Sequence, residues 1–383
     1  MCSIGNEDFE DDAPPSAMMQ INNKQHDVVD GNCKKCGSPA MVKLPFKEAQ
    51  CKECFLYYIR HKFRANLSSR KILPRNCSVL TIFDGSPESI CLLDLVTHSL
   101  RAENYKRLNF NHHIVILDRI FLRAPSLGNQ EVLERFFQQF PCDMHYLSLL
   151  DDECCLEMFN IRDFMKKLES QKDKLARFQS TFDNQSAWED FMEQRTKNYI
   201  RKAASSLGCG YVFLPDTARD VATNVLNCIS LGRGASMAYD VGFLDDRIND
   251  CKLLRPIRDF TQEEVDNYIR MNEVQCLPVA ATSRAPDSIQ SITEKFIDDL
   301  QQNYSSTVST VFRTGDKLAP KQSNEGKCIN CHSNFLWENS KTLNAVEFSA
   351  KVSNSHENSP NEFSSGAKKF CYACQKTFQS CST

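Results

Sequence analysis

The stretch SVLTIFDGSPES, residues 78–89, decides the fold of this chain. Its first half is an apolar run typical of a buried β-strand, and its second half is a tight turn containing Gly85 and Ser86. An apolar-periodic helix follows over 88–101. A strand, a glycine turn and a helix N-terminus form an anion cradle, because backbone N–H groups and the helix dipole converge there. The stretch therefore predicts a phosphate-binding α/β architecture.

The turn resembles the pyrophosphate loop of the ATP-pyrophosphatases, whose pattern is Ser-Gly-Gly-x-Asp-Ser, but three positions differ. Asp84 places a carboxylate where a small hydroxyl would donate to phosphate, Ser86 adds a side chain where glycine lets the backbone approach, and Glu88 replaces a shorter acid. A negative charge beside a polyphosphate opposes its binding. We therefore interpret Asp84, Gly85, Ser86 and Ser89 as a degenerate loop, expect no ATP on this chain, and assign no catalytic residue.

Strand and helix patterns alternate through residues 76–275. This alternation predicts a parallel sheet with helices on both faces. The resemblance of the turn to the ATP-pyrophosphatase loop implies that this α/β core is of adenine-nucleotide α-hydrolase type. Strands are predicted at 79–83, 114–117, 144–149, 211–214 and 252–254. Helices are predicted at 88–101, 129–140, 162–178, 188–207, 216–231, from Thr261 through Met271, and over 284–312.

The bulk composition limits the possible functions. The 383 residues carry a net charge of −3, so any nucleic-acid surface must be local. The apolar runs are too short to span a bilayer, and the N-terminus is acidic and polar rather than leader-like. These features predict a cytoplasmic protein without a membrane contact.

Eight of the 19 cysteines form four Cys-x-x-Cys pairs. Two such pairs supply the four thiolates of a closed tetrahedral zinc site, which has no open position for chemistry. The sequence therefore predicts two structural zinc ions, one at each end of the chain. The predicted ligands are Cys33, Cys36, Cys51 and Cys54, and Cys328, Cys331, Cys371 and Cys374.

Cations interleaved with aromatic residues follow the first cysteine module. This pattern suits a phosphate backbone, although an ordinary solvated helix face is an equal alternative. The predicted RNA contacts of this stretch are Arg60, Lys62, Arg64, Arg70 and Lys71. Arg233, within Gly232-Arg233-Gly234, is a further candidate, the alternative being a glycine helix cap with an exposed arginine.

Taken together, these features resemble the cytoplasmic tRNA 2-thiolation protein 2 family. Four segments carry the resemblance: the N-terminal cysteine pairs ending in Cys54-Phe55, the element Lys62-Phe63-Arg64, the altered loop, and RPIRD at 255–259. The resemblance implies a partner of a catalytic tRNA thiolase subunit. That subunit adenylates the wobble uridine and installs sulfur from a thiocarboxylated ubiquitin-like carrier.

Two departures from the catalytic subunits matter. Their central Cys-x-x-Cys is absent here, since the central cysteines are unpaired or, at 154–155, adjacent. Their Gly-His-Asn-x-Asp-Asp element after the fourth strand is replaced by PDTARD at 215–220, which keeps only Asp220. Both sides of the expected nucleotide cleft are altered, which favours a non-catalytic subunit.

We therefore expect a partner subunit of a cytosolic tRNA 2-thiolation heterodimer that extends the tRNA-binding surface and stabilises the active subunit. The alternatives are a self-contained ATP-dependent tRNA sulfurtransferase and a zinc-stabilised scaffold without RNA contact. The expected organisation is a disordered acidic segment at 1–30, a zinc module and basic helix at 31–75, the degenerate loop domain at 76–312, and a linker with a second zinc module and a low-complexity insertion at 313–383.

Overall fold

The computed structural model describes residues 31–45, 47–102, 107–118, 130–140, 142–277, 284–304, 306–318, 326–335 and 370–381. The predicted disordered segment 1–30 and the low-complexity insertion at about 340–367 lie outside these ranges. Within them, no helix combines the length and the apolar character needed to span a bilayer.

A seven-stranded sheet forms the centre of the molecule, with the order β4-β3-β2-β1-β5-β7-β6. The five inner strands are parallel, and the two edge strands, β4 and β6, are antiparallel to their neighbours. The sequence prediction of a parallel sheet is confirmed for these inner strands. The strands are β1 (Cys77–Phe83), β2 (Phe110–Leu117), β3 (Asp143–Leu147), β4 (Leu156–Met158), β5 (Tyr211–Phe213), β6 (Leu244–Asp245) and β7 (Lys252–Leu254).

Helices cover both faces of this sheet. They are α1 (Lys52–Ser68), α2 (Pro87–Arg101), α3 (Gln130–Gln138), α4 (Ile161–Gln179), α5 (Gln185–Ser206), α6 (Ala218–Ser230), α7 (Gly234–Val241), α8 (Gln262–Met271), α9 (Ile289–Asn303), α10 (Thr307–Asp316) and α11 (Tyr372–Gln379). The predicted capping box of α8 is present, with Thr261 and Glu264 each bonding the other's backbone N–H.

The core consists of two large apolar clusters on opposite faces of the sheet. Successive residues of β1 point to opposite sides, as the pleat requires, so Leu80 and Ile82 pack in one cluster and Val79 in the other. The first cluster includes Trp188 of α5, and the second includes Phe63 of α1. The continuous apolar run of β1 therefore reflects a strand buried on both faces.

The segment 284–312 differs from its prediction. It forms two helices, α9 and α10, rather than one. Ile289, Ile292 and Phe296 of α9 lie at the spacing of a core-facing stripe, yet their exposed fractions are 36%, 61% and 53%. Of the apolar residues that suggested a core, Ile297 is fully buried. The core prediction for the three exposed residues is wrong, because the buried side of α9 is a different one: Ile297 packs against α6 and Gln290 donates to the Ser186 carbonyl of α5.

The sheet order places the altered loop at the topological switch point. In the sheet, β2 and then β3 lie on one side of β1, and β5 and then β7 lie on the other. In open α/β sheets, ligands bind in the crevice beyond the carboxyl ends of the two strands at this point. The crevice between the ends of β1 and β5 is therefore the position at which a nucleotide would be expected.

Candidate functional site

The altered loop fills its own anion cradle. Asp84 directs Oδ1 at the backbone N of Ser86 (3.0 Å) and at the Ser86 hydroxyl (2.6 Å). The Ser86 hydroxyl in turn accepts from the backbone N of Ser89 (3.1 Å), as the N-cap of α2. The donors that a phosphate would use are thus engaged by side chains of the loop itself.

The crevice beside this loop is acidic. Burial, and next the nearby Asp220 carboxylate, raise the pKa of Glu88 to about 7. Burial and Asp216 likewise raise the pKa of Asp220, although its Oδ2 accepts from the backbone N of Thr217 (2.8 Å). Both shifts come first from burial and then from a neighbouring carboxylate, so the crevice disfavours negative charge. These residues do not fit a nucleoside triphosphate.

Arginines near the crevice are engaged elsewhere. Arg255 is 1% exposed and pairs with Asp216 (2.6 Å) while donating to the carbonyls of Tyr239 and Gly242. Arg258 pairs with Asp316 of α10 (2.7 Å). Arg255 therefore connects the end of β7 to Asp216 and to the end of α7, and Arg258 connects the same region to α10.

A further acid at this edge was missed by the sequence analysis. Asp118 follows β2 directly and is fully buried. Its carboxylate accepts from the backbone N of Leu149 (3.3 Å) and from the hydroxyl of Tyr146 (3.2 Å). Burial raises the pKa of Asp118 to about 6. An acid at the carboxyl end of a predicted strand was the available signal.

The N-terminal cysteine pairs converge as predicted. One ligand atom from each of Cys33, Cys36, Cys51 and Cys54 lies within 4.8 Å of the other three, and the Sγ atoms of Cys36 and Cys51 are 3.4 Å apart. Hydrogen bonding from the Cys51 backbone lowers the pKa of the Cys33 thiol to about 6. A thiolate is the form that binds metal, so this cluster can hold a metal ion.

The C-terminal pairs form a second thiol cluster. Cys328, Cys331, Cys371 and Cys374 also lie within 4.8 Å of one another, with Cys331 and Cys371 Sγ 3.6 Å apart. Hydrogen bonds from the other three thiols hold the pKa of Cys328 well below its usual range. This cluster can hold a metal ion too.

Two arginines lie against the second thiol cluster. Both terminal nitrogens of Arg233 lie 3.7 Å from Cys374 Sγ, and its guanidinium pairs with Asp190. Arg247 donates to the carbonyl of Cys331 (3.3 Å) and pairs with Asp240 (2.6 Å) and Asp245. Arg233 is 5% exposed, so its guanidinium does not reach the solvent from which a phosphate would approach.

Among the described residues, the cysteines outside the Cys-x-x-Cys pairs form no further cluster. Among the residues that the structure describes, only the two thiol clusters bring three or more metal-ligating side chains together. Cys209 and Cys251 are buried in the apolar core, where they contribute to packing.

The basic helix α1 has two different faces. Lys62 is held by the buried Glu264 (2.7 Å), by the carbonyl of Asp259 (2.9 Å) and over the ring of Phe260 (4.7 Å). Arg60 donates to Asn272 (2.9 Å). These contacts attach α1 to the segment around α8.

The remaining cations of this stretch are more accessible. Arg70 and Lys71 are exposed, with the Arg70 guanidinium over the ring of Phe243 (4.5 Å), and Arg64 is half-buried. Tyr57 and His61 stack one turn apart on the same side of α1, with ring centroids 6.1 Å apart. Arg64, three residues after His61, continues this accessible face.

Comparisons with known proteins identify the family. A protein from Drosophila yakuba described as cytoplasmic tRNA 2-thiolation protein 2 is 40% identical over 364 residues, covering 92% of this chain and 89% of the relative. The chain belongs to the cytoplasmic tRNA 2-thiolation protein 2 family. The Aedes aegypti relative of the same description is 36% identical with 92% and 87% coverage, and the family model matches residues 288–376. The resemblance inferred from the sequence is confirmed, and the description of these relatives as cytoplasmic agrees with the predicted localisation.

A solved structure shares the fold of this family member. The chain matches the U34-tRNA thiolase NcsA from Methanococcus maripaludis, solved with its [4Fe-4S] cluster, at a TM-score of 0.53 and 17% identity. The match covers 79% of this chain and 90% of NcsA. The predicted fold class is thereby confirmed.

Proposed function

We propose that this chain takes part in cytoplasmic tRNA 2-thiolation as the non-catalytic partner of a catalytic tRNA thiolase subunit. One observation carries the proposal. In a fold shared with a tRNA thiolase, the loop at the nucleotide position is filled by Asp84 and bordered by Glu88 and Asp220. Adenylation would then belong to the partner, and the ubiquitin-like sulfur carrier would act through the assembled complex.

We also propose that both thiol clusters hold zinc. A zinc ion with bonds of about 2.3 Å in tetrahedral geometry separates its sulfur ligands by about 3.8 Å. The Sγ–Sγ distances are 3.4 Å between Cys36 and Cys51 and 3.6 Å between Cys331 and Cys371. Both are close to the zinc value, so each cluster suits one enclosed ion. A four-iron cluster requires thiolates that are farther apart, because the iron and sulfide core stands between them.

The exposed face of α9 supports a partner. Ile289, Ile292 and Phe296 place three large apolar side chains on the solvent side of one helix. Contiguous apolar surface of this kind on a soluble protein is typical of a protein contact. We infer that this face contributes to the contact with the catalytic subunit.

The surface that we propose to contact tRNA is the accessible face of α1 and the residues just after it. It consists of Tyr57, His61, Arg64, Arg70 and Lys71. Aromatic rings beside unburied cations suit a phosphate backbone with adjacent bases. Lys62 and Arg60 then position this helix, and Arg233 positions the second thiol cluster.

Reconstitution of 2-thiouridine formation tests the proposal. The purified catalytic subunit, this chain, and both together are incubated with tRNA, ATP and a thiocarboxylated carrier. We expect full product only with both chains, and a loss of co-purification with Ile292→Ser and Phe296→Ser, but not with the exposed control Met158→Ser. Product from this chain alone would support a self-contained enzyme, and full product without it would contradict the partner role.

A further inference from the structure

A groove lies between α5 and the second thiol cluster, away from the loop crevice. Its volume is about 480 Å³. One wall is the face of α5 that carries Phe191, Arg195 and Lys202, and the other is the Cys-x-x-Cys turn with Ile329 and His332. The Asn198 side chain donates to the carbonyl of Asn330 (2.9 Å), which joins the two walls.

Arg195 and Lys202 contribute positive charge to the lining of this groove. Arg195 donates to the backbone carbonyls of Leu149 (2.7 Å) and Asp151. Lys202 is exposed beside the ring of Tyr199 (5.7 Å). Among the residues that the structure describes, neither of these two cations forms a salt bridge.

The opposing charges near the groove are few or already neutralised. Arg201 at its edge pairs with Asp245 (2.7 Å). Asp250 is the carboxylate among the lining residues, and it is exposed. The second thiol cluster adjoins the groove wall, where the Asn330 side chain donates to Cys374 Sγ (3.3 Å), and Arg233 and Arg247 lie beside the same cluster. Positive charge in the groove comes from Arg195 and Lys202, which favours an anionic ligand.

The groove also presents apolar surface. Ile329 at the tip of the turn is 58% exposed, although the cysteines on either side of it are buried. Phe191 is half-buried on the facing wall. Inorganic phosphate would make no favourable contact with these apolar side chains, whereas a nucleotide offers a flat base as well as a charged phosphate.

We propose that this groove binds one unpaired nucleotide of the tRNA, with its phosphate near Lys202 and Arg195 and its base between Ile329 and Phe191. The volume lies within the range of roughly 300–1,000 Å³ typical of small-ligand pockets. An unpaired nucleotide is required, since a base within a duplex cannot enter between two walls. The inference rests on the proposed function and assigns a second RNA contact to the same chain.

The test measures tRNA affinity of the assembled two-subunit complex over a series of salt concentrations. Ile329→Ser should weaken binding roughly 5- to 100-fold with an unchanged salt slope, because it removes base contact. Lys202→Gln should weaken binding and lower the log–log salt slope by about one. Matched controls are Met158→Ser and Lys166→Gln, an exposed apolar residue and an exposed cation elsewhere.

The outcomes separate this inference from the proposed function. Failure of the wild-type complex to bind tRNA would contradict the tRNA-binding part of the proposed function. Wild-type tRNA binding that neither groove variant changes, with metal content and thermal midpoint intact, would overturn the groove alone. Loss of binding to the carrier protein with tRNA affinity intact would also overturn it, since the groove would then bind an acidic peptide.

Discussion

The carboxyl group of Glu88 reports the character of the crevice most directly. Its pKa is raised to about 7, first by burial and then by Asp220. The folded state therefore holds a proton that the unfolded state releases near pH 4.5, and folding becomes less favourable as the pH rises between these values. The cost is fully present above pH 7 and disappears at low pH.

Glu88→Gln should therefore stabilise the chain at pH 8, by about 1–3 kcal/mol, and by little at pH 4.5. Urea unfolding at the two pH values measures the difference. Glu169→Gln, an exposed acid of α4, is the control and should change stability by less than about 0.5 kcal/mol at both. Equal effects of Glu88→Gln at both pH values would show that the crevice does not disfavour negative charge.

Arg233 is a second residue whose environment decides its role. Arg233→Ala should destabilise the chain by about 3–5 kcal/mol, because it leaves the buried Asp190 carboxylate without its partner. Thermal unfolding and metal content measure this loss. An unchanged midpoint together with weaker tRNA binding would instead support the RNA contact that the sequence suggested.

The cations of α1 fall into two groups: some hold the helix against the segment around α8, and others are accessible to solvent. Lys62→Gln should lower stability by about 1–3 kcal/mol, because the buried Glu264 loses one of its two cations and keeps Lys47, the Tyr58 hydroxyl and the backbone N–H of Thr261. Arg64→Gln should leave stability within about 0.5 kcal/mol and weaken binding of different tRNAs by a similar factor.

Filter binding of the complex across salt concentrations tests this division. Removing the cation from one phosphate should lower the log–log slope by about one unit. Arg64→Gln and Arg70→Gln with wild-type affinity and slope would show that this face of α1 is simply solvated.

The regular elements were predictable because their patterns are local. The run 79–83 is apolar except for Thr81 and buried along its length, as a strand covered on both faces requires. The spacing of Thr261 and Glu264 predicted the start of α8. The orientation of α9 was not predictable, because apolar residues at helical spacing look alike whether the chain itself or a partner covers them.

The candidate sites were also predictable only where their contacts are local in the sequence. Both thiol clusters were predictable, because the short spacing within a Cys-x-x-Cys pair is enough to bring its two thiols together. The burial of Lys62 and Arg233 was not, because Glu264 and Asp190 lie 202 and 43 positions away in the sequence. Charge patterns alone cannot tell a solvated cation from one whose partner is brought by the fold.

For the whole molecule, the thiol clusters join the ends of the chain to the sheet. The second cluster is attached to α5 through Asn198 and to the segments on either side of α7 through Arg233 and Arg247. Because metal-binding free energy is then folding free energy, loss of either ion should loosen the molecule rather than alter a reaction step.

Elemental analysis should find two zinc ions per chain in a colourless protein. Cys51→Ser should lower the yield of folded protein and the thermal midpoint, whereas Cys276→Ser, an exposed cysteine outside both clusters, should change neither. Less than one zinc per chain, or the visible absorption of an iron–sulfur cluster, would contradict the assignment.

We propose that this chain has the fold of a tRNA thiolase but does not bind ATP in the crevice beside its altered loop. Calorimetric titration of ATP into the purified, metal-replete chain measures this, with the catalytic subunit titrated in parallel. We predict no saturable binding in the micromolar range for this chain, because Asp84, Glu88 and Asp220 oppose the triphosphate. Micromolar affinity of the wild-type chain for ATP would contradict the account.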